Sequence, residues 1–359
     1  MLIPRPGILE IKPYVGGEAS VPGVARVVRL ASNENPLGTG KAARAAYRSL
    51  SGVLNRYPDG SASALRRAIA ETEGLDGERI VCGAGSDELI SLLTNAYAGP
   101  GDEVLYSQHG FLMYSIAARS VGATPVAAPE VDLVASVDSL LGRVSERTRI
   151  CFLANPNNPT GSYLSADELR RLRENLPENV LLVVDAAYAE YVTARDYTSG
   201  RELVEAHDNV VMIRTFSKIH GLAALRLGWA YCPPAVADVL QRIRGPFNVS
   251  EPALAAGTAA VGDLDHVTRS RDHNRRWRDW FSTRARRMGL QVFASEGNFL
   301  LLRFPDPRRP VGEALAALKA RGILLRGVGA YGLPDCVRIT IGTRQDMRAS
   351  ADALGEFLT

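Results

Sequence analysis

The sequence predicts an α/β protein: a large domain with a mostly parallel sheet flanked by helices, followed by a smaller α+β domain. Three observations carry this expectation. Between about residues 60 and 235, short and continuously apolar β-rich runs alternate with helical patterns, the signature of strands covered on both faces. After about residue 250 the texture changes to one long helical stretch and separated strand-like pieces. At 359 residues the chain also exceeds what a single hydrophobic core usually organises.

The expected strands are, in order, 80–82, 103–107, 149–154, 180–185, 210–214 and 228–232, each rich in Val, Ile, Leu or aromatic residues. Expected helices lie between them at 63–73, 86–98, 111–121 and 165–176. Ser165-Ala-Asp-Glu168 has the pattern of a capping box, with Ser at the N-cap and Glu three residues on. Beyond residue 250 a long helix is expected over Arg269–Met288, then strand-like pieces at 298–304 and 337–341 with a helix at 311–321 between them. The first thirty residues, rich in Pro and Gly, cannot form a core and should lie across another surface. The expected organisation is therefore an N-terminal arm (1–30), a large domain (31–250) and a small domain (251–359).

Composition excludes several function classes. A net charge of +3 gives no electrostatic footprint for nucleic acid or a membrane surface. The Arg-rich run Arg269–Arg287, with Trp277, Trp280 and Phe281 interleaved, is spaced as an amphipathic helix with aromatics inward and arginines solvated or paired. The N-terminus lacks a signal-peptide pattern, and no apolar run approaches the ~20 residues that span a bilayer. Cys82, Cys151, Cys232 and Cys336 are far apart with no C-x-x-C spacing, so neither a disulfide framework nor a zinc site is indicated. These features point to a cytoplasmic protein. The five histidines are scattered, and neither H-E-x-x-H nor G-x-S-x-G occurs, which leaves a metal or serine hydrolase without support.

The chemistry-bearing motifs fall at or just after predicted strand ends, where open parallel sheets bind their ligands. Cys82-Gly-Ala-Gly-Ser-Asp-Glu88 opens a helix and offers backbone N–H groups to an anion. Glu88 stands where a dinucleotide fingerprint needs its third glycine, so that reading fails. Asn155-Pro-Asn-Asn-Pro-Thr-Gly161 is a proline-stiffened turn that also fixes an amide donor, Asn158. Asp185 ends an apolar strand, where a carboxylate is costly unless it meets a cation or donors; alone, it reads as a helix N-cap. Arg214-Thr-Phe-Ser-Lys-Ile-His-Gly-Leu-Ala-Ala-Leu-Arg226 sets Lys218 in a hydroxyl-rich turn with an arginine downstream. A lysine there can form a Schiff base with a carbonyl cofactor, with the hydroxyls and Arg226 on that cofactor's phosphate; in isolation it reads as a surface lysine. Arg326 and Arg338 offer bidentate recognition of a carboxylate or phosphate, although a solvated arginine is the default.

Together these segments resemble the fold-type I pyridoxal-phosphate aminotransferases, and within them the histidinol-phosphate aminotransferase branch. The resemblance rests on Ser32-Asn-Glu-Asn-Pro-Leu37, Arg56-Tyr-Pro-Asp59, Gly85-Ser-Asp-Glu88, Pro156-Asn-Asn-Pro-Thr-Gly161, Val184-Asp-Ala-Ala-Tyr188, Thr215-Phe-Ser-Lys218 with Arg226, and Arg338-Ile-Thr-Ile-Gly342. It runs from about Tyr14 to the Thr343 region. It implies pyridoxal 5′-phosphate held by Lys218, with Asp185 on the pyridine nitrogen, Asn158 and Tyr188 on the ring oxygen, and Phe111 stacked on the ring. The phosphate would lie on Gly85, Ser86, Asp87, Thr215, Ser217 and Arg226, with Tyr57 reaching in from the partner subunit of a homodimer. Tyr14, Asn33, Arg326 and Arg338 match substrate-contacting positions. The chain departs from the pattern at Ala186, where an acidic residue is usual, at Ala224, where glycine is usual, and at Gln108-His-Gly110, where the loop usually contains proline.

The resemblance implies transamination: Lys218 moves a proton as base and acid while Asp185 keeps the ring nitrogen protonated. The expected donor is histidinol phosphate with 2-oxoglutarate as acceptor, in histidine biosynthesis. An aromatic amino-acid aminotransferase is the alternative. Decarboxylases of the phosphothreonine type share the cofactor set. Transcription regulators built on this domain need an additional DNA-binding domain, for which a pattern beginning at Tyr14 leaves no room.

Overall fold

The computed structural model describes residues 3–13, 16–18, 20–24 and 26–359, so Tyr14 lies outside the described residues. Among these residues the chain forms a seven-stranded sheet and, further along, a four-stranded one. The large sheet runs in the order Ile80–Gly83, Gly228–Tyr231, Val210–Thr215, Leu181–Asp185, Thr148–Ala154, Glu103–Ser107, Thr124–Ala128. Gly228–Tyr231 is antiparallel to both of its neighbours, and the other pairings are parallel.

The reason the strands read as unbroken apolar runs is visible in the packing. Leu182, Val184, Val210 and Met212 point into one core, while Leu181, Val183, Val211 and Ile213 point into another on the opposite face. A strand buried on both faces has no solvent side for polar residues to occupy. The expected fold class is therefore the observed one. The edge strand Thr124–Ala128 was not expected, because it carries Pro125 and a mixed, half-exposed pattern. Both traits suit a strand that needs partners on one side only.

The second sheet orders Gln291–Val292, Phe299–Arg303, Cys336–Thr340 and Arg326–Gly327, with all pairings antiparallel. Its core gathers Leu300, Leu302, Val337 and Ile339 against Trp277 and Phe281 of the helix Leu264–Arg287. That helix turns Arg275, Arg276, Arg284 and Arg287 to solvent, while Arg278 is buried and pairs with Glu296 at 3.5 Å. Near the N-terminus, Arg5 donates to the Ser120 carbonyl and Glu10 pairs with Arg119, so residues 5–10 lie on the helix Met113–Val121. Val28–Arg29 adds in parallel to Ile323–Leu324.

The capping box expected at Ser165 forms only in part. Ser165 Oγ accepts the Glu168 amide at 3.3 Å, but the Glu168 carboxylate is bound to Arg171 and does not turn back. A complete box closes instead at Thr343 and Asp346, on the helix Arg344–Leu358.

Candidate active site

The C-terminal ends of the parallel strands, the segment around Asn33 and the edge of the second sheet enclose a cleft of about 370 Å³. Ser86, Asp87, Phe111, Asn158, Asp185, Tyr188, Thr215, Ser217, Lys218, Arg226, Asn33, Arg326 and Arg338 all line it. Thus, Asn33 apart, residues far apart in sequence converge because each follows a strand of one sheet, or faces that sheet from the other.

One wall is built for an anion. The helix Ser86–Tyr97 begins at the cleft with Gly85 as its N-cap, in the left-handed region at φ 87°. Its first amides and helix dipole point inward. Two close approaches keep this corner free of side chains. A Cβ on Gly85 would lie 2.7 Å from Arg226 Nη2, and one on Gly228 would lie 2.5 Å from the Ser86 nitrogen. Glu88 closes the loop by accepting the Ala84 amide at 2.6 Å and the Asn248 side-chain amide at 2.7 Å, which explains an acid where another motif has glycine. Arg226 donates to Asp87 Oδ2 at 2.9 Å and to Ser217 Oγ at 3.3 Å, and Thr215 Oγ1 accepts the Ser217 amide at 3.1 Å. Guanidinium, hydroxyls and helix N-terminus therefore surround one position.

The floor carries the titratable pair. Asp185, the last residue of Leu181–Asp185, is buried; Oδ2 accepts the Tyr114 hydroxyl at 2.8 Å and Oδ1 accepts the Ala187 amide at 3.2 Å. Burial pushes its pKa up to about 6, against the pull of those two donors. A carboxyl so placed calls for a cation. Lys218 follows the strand Val210–Thr215, and its Nζ donates to the Ser32 carbonyl at 3.4 Å. Burial, with Arg338 adding like charge, lowers its pKa to about 8, so a neutral amine is accessible near physiological pH. Tyr188 accepts the Asn33 side-chain amide at 2.9 Å, and burial pushes its phenol well up.

On the far side, Arg326 and Arg338 lie directly opposite one another in the antiparallel ladder. Cross-strand partners project to the same face, so both guanidinium groups belong to one wall of the cleft. Arg338 also donates to Asn158 Oδ1 and, at 2.6 Å, to the Ala31 carbonyl. With its oxygen engaged, the Asn158 amide has its NH₂ left to donate.

Tyr57 stands apart from this cleft. It is 82% exposed and stacked on Phe247, with ring centroids 4.7 Å apart. The sequence reading overlooked Tyr114, the hydroxyl partner of Asp185. It sits in the helix Met113–Val121, three residues beyond Phe111, and its partner lies 71 residues away, so its spacing gives no signal of the bond. It also overlooked the Ser32 carbonyl, and Gly16 and Gly17, which line the cleft. The atypical loop at 108–110 has a structural role: His109 Nδ1 lies 2.6 Å from the Tyr331 carbonyl and its amide donates to Glu130.

Known proteins resemble this chain in sequence and in fold. Histidinol-phosphate aminotransferase of Rhodospirillum centenum is 61% identical over 356 residues, covering 99% of this chain and 98% of that one. The Paramagnetospirillum magneticum protein of the same name is 56% identical with the same coverage. The solved histidinol-phosphate aminotransferase of Sinorhizobium meliloti, in complex with pyridoxal 5′-phosphate, superposes with a TM-score of 0.91 at 28% identity, over 98% of this chain and 96% of that one. A Thermus thermophilus aspartate aminotransferase variant shares the fold alone, with a TM-score of 0.85 at 19% identity over 99% of this chain and 100% of that one. The class I and II aminotransferase family matches residues 25–354, and the chain belongs to that family.

Proposed function

We propose that this protein is a pyridoxal-phosphate-dependent histidinol-phosphate aminotransferase, passing the amino group of histidinol phosphate to 2-oxoglutarate. The observation that carries the substrate is the pair of arginines set opposite each other, Arg326 and Arg338, facing the cleft that holds Lys218 and Asp185. Two guanidinium groups on one wall suit a phosphate dianion better than an aromatic ring.

The residues present fit the cofactor. Gly85, Ser86, Asp87, Thr215, Ser217 and Arg226 form its phosphate seat. Asp185 is the buried carboxyl that needs a cation, and a protonated ring nitrogen is one. Phe111 covers the ring face, while the Asn158 amide and the Tyr188 hydroxyl hold the ring oxygen. When bound, pyridoxal phosphate supplies a carbonyl for amino groups and a ring that accepts electrons from the adjacent carbon. Lys218 Nζ takes the substrate's proton when neutral and returns it when charged. Asn33 orients the Tyr188 hydroxyl, and Arg326 and Arg338 hold the substrate so that its reacting carbon stays near Nζ.

A pH dependence follows from Lys218. Only its neutral amine can attack the cofactor carbonyl, and its pKa is lowered to about 8 from 10.5. The rate of cofactor capture by apoprotein, followed by absorbance, is expected to rise through about pH 8 and level off above it. A rise centred near 10 would contradict this.

The functional assignment is tested by steady-state rates with histidinol phosphate, phenylalanine and tyrosine, each against 2-oxoglutarate. Histidinol phosphate should give the highest kcat/KM, and the Arg326→Ala variant should lose about 10²-fold with it and much less with phenylalanine. Equal losses for all three, or a preference for the aromatic amino acids, would favour the aromatic aminotransferase reading.

The working unit is a homodimer. Supporting this, Tyr57 and Phe247 form an exposed aromatic pair with Val53 and Leu54 exposed nearby in sequence, and Tyr57 is turned away from its own cleft. In the dimer Tyr57 completes the partner's phosphate seat. Light scattering should give twice the chain mass, and Tyr57→Phe should weaken cofactor binding by about 10-fold; a monomer that is fully active would end this reading. A cytoplasmic location fits the four free, buried cysteines; among the described residues no helix is long and apolar enough to cross a membrane.

A further inference from the structure

Tyr114 is completely buried, and its ring is fixed on two sides. It stacks on Phe152 with centroids 4.7 Å apart and planes within 2°, and it meets the edge of Phe111 at 5.9 Å and 89°. Phenylalanine would fill this space equally well. The hydroxyl adds a polar group whose burial is costly unless it is bonded. It is bonded, donating to Asp185 Oδ2 at 2.8 Å. One rigid ring thus touches both the carboxyl that faces the ring nitrogen and the phenylalanine that covers the ring face.

We propose that Tyr114 is a positioning residue for cofactor binding, holding the Asp185 carboxylate in its ionised form and in one orientation beneath the Phe111 ring. The proposal rests on the cofactor reading above. Its physics is that a hydrogen bond donated to a carboxylate favours the charged form, and only the charged form pairs with a protonated pyridine. The donor also removes one rotational choice from Asp185, because Oδ1 is already taken by the Ala187 amide. The other titratable groups facing Asp185 are Asp87, which opposes its ionisation, Lys218, which favours it, and the phenols of Tyr188 and Tyr197. Tyr114 is the one whose hydroxyl reaches it directly among these phenols in the described residues.

The test uses the full-length apoprotein and pyridoxamine 5′-phosphate, a probe that cannot condense with Lys218. Binding is measured by calorimetry from pH 5.5 to 8.5 for the wild type, Tyr114→Phe, Asp185→Asn and the double variant. Tyr106→Phe serves as control, because Tyr106 packs against Tyr114 at 6.3 Å and has no bond to Asp185. Tyr114→Phe is expected to bind about 10-fold more weakly than wild type. Its acid-side loss of affinity should begin at higher pH, since Asp185 without its donor protonates more easily. In the Asp185→Asn background the same substitution should add little, because the hydroxyl acts through that carboxylate. The Tyr106 control should match the wild type.

Tyr114→Phe binding with wild-type affinity and pH profile would overturn the inference, as would a full, additive loss in the Asp185→Asn background. Failure of the wild type itself to bind the probe would instead overturn the cofactor reading on which this rests.

Discussion

Lys218→Ala is expected to lower transamination by about 10⁴-fold with histidinol phosphate, the upper end of what a positioned acid–base group contributes. The side chain does two jobs. In the mechanism proposed above, it captures the cofactor carbonyl and moves the proton that makes transamination possible. No other described group in the cleft can replace it: the Asp185 carboxyl is tied to Tyr114 and Ala187, and Tyr188 is pushed far above the pH at which it could act as a base. The fold should remain intact. In the folded protein Lys218 is held below its ordinary pKa, so its ammonium burdens the native state at pH values below about 8 and ceases to do so above 10.5. The variant should therefore unfold at or slightly above the wild-type temperature at pH 7. Turnover near wild type, with an unchanged melting temperature, would end the Schiff-base assignment.

Asp185→Asn should pull activity and stability in opposite directions. Transamination and cofactor affinity are expected to fall about 10²-fold, because the charge-assisted bond proposed for the ring nitrogen becomes a neutral contact. The apoprotein should become more stable by about 1–3 kcal/mol. The carboxyl's pKa rises from 3.8 to about 6 on folding, and each unit corresponds to about 1.4 kcal/mol. Because the folded-state value is raised, the cost of keeping the carboxylate is complete above about pH 6 and vanishes below 3.8. Urea denaturation of both apoproteins should show the gain in full at pH 8 and roughly half of it at pH 5. A variant less stable than wild type at both pH values would mean that the Tyr114 and Ala187 bonds outweigh the desolvation. Active sites commonly hold such groups at the expense of stability.

The large sheet was legible in the sequence because burial on both faces leaves a clear mark: unbroken apolar runs ended by Asp185, by Thr215 and by the glycines after Cys82. Their polar terminators announced the cleft for the same reason, since a polar residue at the end of such a run must face a ligand or a partner. The strand Arg326–Gly327 was not legible. Two residues carry no periodicity, and the register that sets Arg326 against Arg338 belongs to tertiary pairing alone. The Tyr114 contact was hidden in a similar way, because its helix reads as amphipathic whether or not one hydroxyl has a buried partner. Glu88 was legible only as an exclusion; its place as a loop brace depends on Asn248, far away in the chain. The antiparallel direction of Gly228–Tyr231 also left no local trace.

The cross-strand arginines bear on how such an enzyme could diverge. Arg338 is fastened to Asn158 and to the Ala31 carbonyl, so on the proposed reading replacing it disturbs the cofactor side of the cleft as well as the substrate side. Arg326 sits on the two-residue edge strand of a different sheet from the one that carries Lys218 and Asp185. On the proposed reading, a change of donor that begins at position 326 leaves the sheet ending in Asp185 in place, so a gene duplicate keeps its chemistry while it takes up a new metabolic niche.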